Sequence, residues 1–270
     1  MPRRCDNEAV TIEIIETEAI NKYLAAKNAG NPEFKYTLFH VFAAAMAKIL
    51  ILRPHLSWFI QGPRIFANRD VKLAFMVKRN FDEKSEESIA KFVADVDGGS
   101  HVDQFHDYLE KFVTAVRKEK KLEKTSNTIG ILKHVPLPFL RFFFWLVHKM
   151  DKWNCYPKVL ADQDPSCASA FITNIGSLGM TANYHHLYES GTMSCFAMLD
   201  ARRLRPVFKD DGTCEMKETV QISITLDERI VDGYYCSTCV RLLHYLMQHP
   251  EDLDLPASAP VDFDWNKIVR

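Results

Sequence analysis

Net charge is what this 270-residue sequence most plainly lacks: 34 basic residues stand against 35 acidic ones, leaving a formal charge of -1. With no global field to draw in nucleic acid or an anionic membrane, the chain is expected to bind neither through bulk charge. The opening stretch, MPRRCDNEAVTIEI, has no apolar core and no small-residue cleavage site, so it is not a secretory signal. No apolar run reaches the roughly 20 residues that a bilayer span requires. A disulfide framework is also missing. Cys5, Cys155, Cys167, Cys195, Cys214, Cys236 and Cys239 are odd in number and scattered, which fits a reducing compartment and a cytoplasmic location. Cys236 and Cys239 form a C-x-x-C inside a helical apolar pattern, without a second pair at zinc-ligand spacing, and read as packing thiols; no metal is expected. Neither repeat, low-complexity tract nor flexible linker divides the chain. With 47% hydrophobic residues it can bury a sizeable core, and residues 1–270 read as a single α/β domain.

What is present is a succession of short periodic segments. Residues 7–15 alternate, with Val10, Ile12 and Ile14 on one face, and predict a strand; 17–27 predict a helix. Thr37 caps a helix whose apolar residues run almost all the way round before Arg53-Pro54 stops it, the pattern of a buried helix, with His40 inside it as a satisfied core histidine. Trp58 to Phe66 reads as a hairpin around Gln61-Gly62-Pro63, and Val71 to Val77 as a further strand. Residues 81–97 are charged with a sparse apolar stripe, Ile89, Phe92, Val93 and Val96; 102–120 have clear helical spacing and end in a basic run, Lys118 to Lys124, that reads as a solvated helix end. Residues 135–147, VPLPFLRFFFWLV, are the most hydrophobic segment. Interrupted by Pro136, Pro138 and Arg141 and without an evident basic face, they are expected to be a buried helix or a subunit contact rather than a membrane-surface element. The second half predicts strands at 169–175, 192–199, 205–208 and 218–226, with turns at 176–179 and 210–212, and then an amphipathic helix after Gly233.

Three separated stretches point to one family: the buried helix followed by RPHLSWFIQGPRIF and a strand; AFITNIGSLGM; and a strand, ERIVDG, a helix and HPEDL. This arrangement resembles the catalytic domain of the dihydrolipoyl acyltransferases, the E2 components of 2-oxoacid dehydrogenase complexes, and their relative chloramphenicol acetyltransferase. The resemblance implies the chloramphenicol-acetyltransferase-like fold, a mixed sheet packed with helices. It implies a homotrimer with each site shared by two subunits across a channel for coenzyme A or lipoamide, and no lipoyl or subunit-binding domain is expected beside the single catalytic domain.

In that family a His-x-x-x-Asp-Gly motif supplies the general base for attack on a thioester carbonyl. Here the segment is Glu228-Arg229-Ile230-Val231-Asp232-Gly233. The resemblance implies that Asp232 holds the loop through a salt bridge to an N-terminal arginine, Arg4 or Arg3, that Gly233 permits the sharp turn into the helix, and that the Thr173 hydroxyl donates to the tetrahedral oxyanion. Thr173 alone, as a residue, reads as a strand-end threonine bonding its own turn, and with the resemblance the two readings stand level. Glu228 leaves three readings open: a carboxylate acting as base, a residue paired with an arginine in a protein without the usual chemistry, or an orienting partner for His185 or His186. The leading expectation is acyl transfer from a coenzyme A or lipoyl thioester to an unidentified small-molecule acceptor. The rival is a silent ligand-binding or oligomeric scaffold.

Overall fold

The structure, a computed structural model, describes residues 3–78, 87–118, 135–153, 155–181, 183–209 and 211–265. Most of the basic run after Lys118, the residues 81–86 and Asp210 of the second turn lie outside them. One large sheet runs in the order β1 (Glu8–Glu16), β9 (Cys214–Asp227), β7 (Cys195–Leu199), β6 (Ala170–Asn174), β4 (Lys72–Lys78) and β5 (Glu87–Val93), with β8 (Arg203–Phe208) pairing to the outer half of β9. The β4–β6 and β6–β7 pairs are parallel and the rest antiparallel, so the sheet is mixed, as expected. The hairpin of β2 (Trp58–Gln61) and β3 (Arg64–Ala67) stands apart, its turn made by Gly62 at φ 58°.

One face of the sheet packs on α1 (Glu18–Lys27), α2 (Leu38–Leu52), α3 (His101–Lys118) and α6 (Gly233–Gln248). The middle of that layer is α2, the helix apolar on nearly every face, and its Phe42, Ala43, Ala44 and Leu50 are completely buried. Its one buried cation, Lys48, is satisfied by the carbonyls of Asp252 and Pro256, which ties the segment after α6 to the core. The other face carries a smaller cluster in which Phe171, Phe196 and Met198 meet Leu187 and Met193 of the loop before β7.

Several elements depart from the sequence reading. The strand β5 occupies the sparse stripe: Ser88, Ala90 and Phe92 alternate into the core, and the small polar and small apolar members of that set hide the period. In β1 the apolar residues Val10, Ile12 and Ile14 do form one face, but it points away from the helices and is 41–53% exposed. The aromatic segment is a helix, α4 (Leu137–Lys152), with Asp151 its one buried residue, so it is not a core helix. It is followed by the short α5 (Lys158–Ala161).

The expected core role of His40 holds: its Nδ1 accepts the Thr37 backbone N–H, and burial pushes its pKa down to about 3. His101, buried beside Lys48, is pushed down to about 4. Both lie below the unfolded value of about 6.5, so the stability these neutral rings contribute is complete above pH 6.5 and is lost as pH falls toward their folded values. Unfolding free energies from urea titrations between pH 7 and pH 4 are expected to fall with a slope of up to about 1.4 kcal/mol per pH unit per ring, and replacing His101 by Gln should flatten that slope.

Candidate active site

Thr173 sits near the end of β6, half-buried, on the same face of the sheet as Phe171 two residues earlier. Its hydroxyl takes no hydrogen-bond partner among the described residues, and the turn that follows is instead closed by Ser177 Oγ donating to the Asn174 carbonyl at 2.8 Å. That turn is pressed against β7. A side chain at Gly176 would collide with the Asp200 carbonyl, so only glycine lets the chain pass there. Asp200, in turn, is buried, accepts the Gln221 N–H and pairs with Arg205 at 3.2 Å. Thr173 is thus a free hydroxyl on a braced strand end.

At the opposite end of the sheet, β9 runs into the 228–233 segment. Glu228 is exposed; its backbone N–H donates to the Asn7 carbonyl at 2.9 Å, and its side chain stands in a groove of about 290 Å³ between β1 and α6, with Thr11, Glu13, Cys236 and Ser237. No ion pair engages Glu228 among the described residues, because the adjacent Arg229 turns back to Asp227, donating through Nε at 2.8 Å and a terminal nitrogen at 2.7 Å.

Asp232 does not make the expected salt bridge. It caps α6, accepting the Tyr235 N–H at 2.8 Å, and is exposed. The arginine-holding role falls to Asp227, whose carboxylate lies between Arg229 and Arg4, the latter at 3.5 Å. Asp227 is the last residue of β9 and is buried, so a cation reaches it where none reaches the solvated helix cap. Arg4, only 2% exposed, also donates to the carbonyls of Tyr188 at 2.5 Å and Gly191 at 3.1 Å; burial lowers its pKa while the Asp227 charge opposes that shift. The hydrogen bonds that Arg229 donates to Asp227 raise its own pKa. Arg3 is exposed and makes no bond to Asp232; its carbonyl accepts from Asn7. Gly233 begins α6 without a positive φ, and a side chain there would meet open space, so the turn does not depend on glycine.

His185 and His186 lie in the loop before β7. His185 stacks on Phe196 with ring centroids 4.0 Å apart and on His186 at 4.9 Å, and neither touches Glu228 within the chain. His185 therefore shares a sheet face with Thr173. His186 lines a cavity of about 830 Å³ together with Arg3, Arg229 and Lys152. Gln61 and Asp151 line both this cavity and a second one of about 350 Å³. Since the buried Asp151 carboxylate only accepts, the Gln61 amide nitrogen faces it at 3.0 Å, and the amide oxygen has no donor among the described residues. Neither Asp227 nor this pair stood out in the sequence: single acidic and amide residues gain their meaning from burial alone.

Strand register fixes the distance between the two ends. Thr173 is level with Met198 and hence with Ser223, and Glu228 lies five residues beyond that. At about 3.4 Å per residue along and about 4.8 Å per strand across, Thr173 and Glu228 are separated by roughly 20 Å within one chain. Any chemistry that needs both must join two copies.

Residues 158–255 match the family described as 2-oxoacid dehydrogenases acyltransferase (catalytic domain), a span that contains Thr173 and the 228–233 segment. No curated protein sequence matches the chain. Among solved structures, a probable dihydrolipoamide acetyltransferase from Listeria monocytogenes 4b F2365 is similar at TM-score 0.64 and 13% identity, covering 90% of this chain and 84% of its own. The dihydrolipoamide acetyltransferase of Azotobacter vinelandii is similar at 0.63 and 15%, covering 92% and 84%, and a chloramphenicol acetyltransferase at 0.57 and 11%, covering 91% and 90%.

Proposed function

We propose, from the chloramphenicol-acetyltransferase-like fold and the family match over 158–255, that this chain is an acyltransferase of the E2 type, acting as a homotrimer on a coenzyme A or lipoyl thioester. The observation that carries the reading is the free Thr173 hydroxyl, held half-buried on a braced strand end at the motif position. In the proposed reaction an acceptor thiol, hydroxyl or amine loses its proton to a base as its lone pair adds to the thioester carbonyl. Thr173 donates a hydrogen bond to the resulting oxyanion. The tetrahedral intermediate then collapses, breaking the carbon–sulfur bond, and the thiolate leaves and takes up the proton.

Glu228 is the proposed base, supplied by a neighbouring subunit. That no arginine pairs with it among the described residues favours this over the ion-paired scaffold, since Arg229 is committed to Asp227. Two exposed apolar surfaces support association: the Val10, Ile12 and Ile14 stripe of β1, and the arm formed by β8 with the outer half of β9, where Leu204, Phe208 and Met216 are 58–72% exposed. In the Azotobacter vinelandii dihydrolipoamide acetyltransferase, a serine, a histidine and an asparagine have been investigated for their role in the catalytic mechanism. In the proposed assignment Thr173 stands for that serine and Glu228 for that histidine.

The test is thiol release from acetyl-coenzyme A in the presence of dihydrolipoamide and of amine and alcohol acceptors. Wild type is expected to release free thiol in an acceptor-dependent manner. Thr173→Val should lower kcat about a hundred- to a thousandfold, with KM for the thioester little changed, because the lost bond is made to the oxyanion and not to the ground state. Equal rates for wild type and Thr173→Val, with no acceptor dependence, would leave the scaffold.

A further inference from the structure

We propose that α4 is a membrane-docking helix, whose aromatic face enters the interfacial layer of a bilayer containing anionic lipid. At 100° per residue, Phe139, Phe142, Phe143 and Leu146 fall within an arc of about 100° on one side of the helix. They are exposed, Phe139 by 68% and Phe142 by 61%, and Trp145 beside them by 55%. A short helix this apolar is ordinarily covered, yet among the described residues only its last turn is held to the body, through Asp151 and Gln61.

Charge identifies the cover. Arg141, His148 and Lys152 lie together on the side of α4 away from that aromatic arc, and Lys149 borders it, its ammonium 6.0 Å from the Trp145 ring centroid. From 135 to 161 the sequence holds one acidic residue, Asp151, and it is buried; Arg141, Lys149, Lys152 and Lys158 are all cationic. In a chain of net charge -1 this is a local concentration of positive charge; at the foot of the helix the large cavity holds both signs, Arg3 and Arg229 with Glu189. An aromatic arc bordered by Lys149, with Arg141, His148 and Lys152 on the opposite side of the helix, complements lipid tails below anionic headgroups. It is a poor match for a second copy of itself, which would bring like charges together. No helix of the described residues is long and apolar enough to cross a membrane, and α4 at 16 residues would span only about 24 Å, so it lies in the surface instead. The apolar face is evident only once the helix is seen standing clear of the core; as sequence, Arg141 reads as an interruption of the run.

The test is flotation of the full chain with vesicles of phosphatidylcholine, with and without phosphatidylglycerol. Wild type is expected to float with the anionic vesicles, with Trp fluorescence shifting to the blue, and to bind phosphatidylcholine alone at least tenfold more weakly. Arg141→Gln with Lys149→Gln should weaken anionic binding about thirtyfold, about fivefold per charge, and Phe142→Ser with Phe143→Ser should abolish it while circular dichroism stays unchanged. Failure of wild type to float on anionic vesicles overturns the proposal. So does a fall in oligomeric mass in the Phe142→Ser, Phe143→Ser variant without vesicle binding by wild type, which would make α4 a contact between copies. Vesicle binding by Thr173→Val at wild-type strength would keep this result separate from that of the acyl-transfer assay.

Discussion

Replacing Glu228 by glutamine is expected to lower acyl transfer about a hundredfold or more, with the thioester still bound. The substitution keeps the size and the exposed position at the end of β9 but removes the only proposed proton acceptor, and general-base catalysis contributes roughly 10² to 10⁴ in rate. As a class, side-chain carboxylates are weaker bases toward a thiol than imidazole is. Glu228→His should therefore exceed wild type with dihydrolipoamide as acceptor, and this gain is the sharper half of the prediction. Glu228 and Thr173 lie at opposite ends of the sheet, so the two single variants should damage different halves of the proposed shared site. Equal mixtures refolded together should regain about a quarter of the wild-type sites, because random assembly places an intact Glu228 against an intact Thr173 that often. No recovery on mixing would mean that the site is built within one chain.

Asp227→Ala is expected to cost about 3 to 5 kcal/mol of stability, measured by urea unfolding. The carboxylate is buried between Arg4 and Arg229, and its loss removes the one ion-pair partner of the enclosed Arg4 guanidinium among the described residues, leaving it carbonyl partners and the weaker influence of Glu189, whose carboxylate accepts the Arg4 backbone N–H. Asp232→Ala, by contrast, removes an exposed helix cap and should cost only about 1 kcal/mol. The ordering of the two is the informative result, because the family motif by itself would place the larger loss at Asp232.

That contrast shows where sequence stops being legible. The strands β1, β6 and β9 follow from alternation, and α2 from an apolar surface on nearly every face, since period and burial are written in residue type. The position of Thr173 follows from its motif, and the structure adds that its hydroxyl is unclaimed. Asp227 and Asp232 are chemically alike and five residues apart; only the tertiary path of the N-terminal segment decides which of them meets Arg4. The direction of the Val10, Ile12 and Ile14 face is hidden for the same reason. Alternation says that one side of a strand is apolar, whereas the placement of the helix layer decides that this is the side left open.

The manner in which α4 is fastened gives it the mechanics of a cantilever. It projects with residues 141–146 exposed and is clamped at Asp151, in the last turn, to Gln61 of the β2–β3 hairpin. A load applied along the aromatic turns is borne at that clamp, and the clamp is also the wall between the two cavities. Tilting α4 about that clamp would displace the Gln61 amide, whose oxygen has no donor among the described residues.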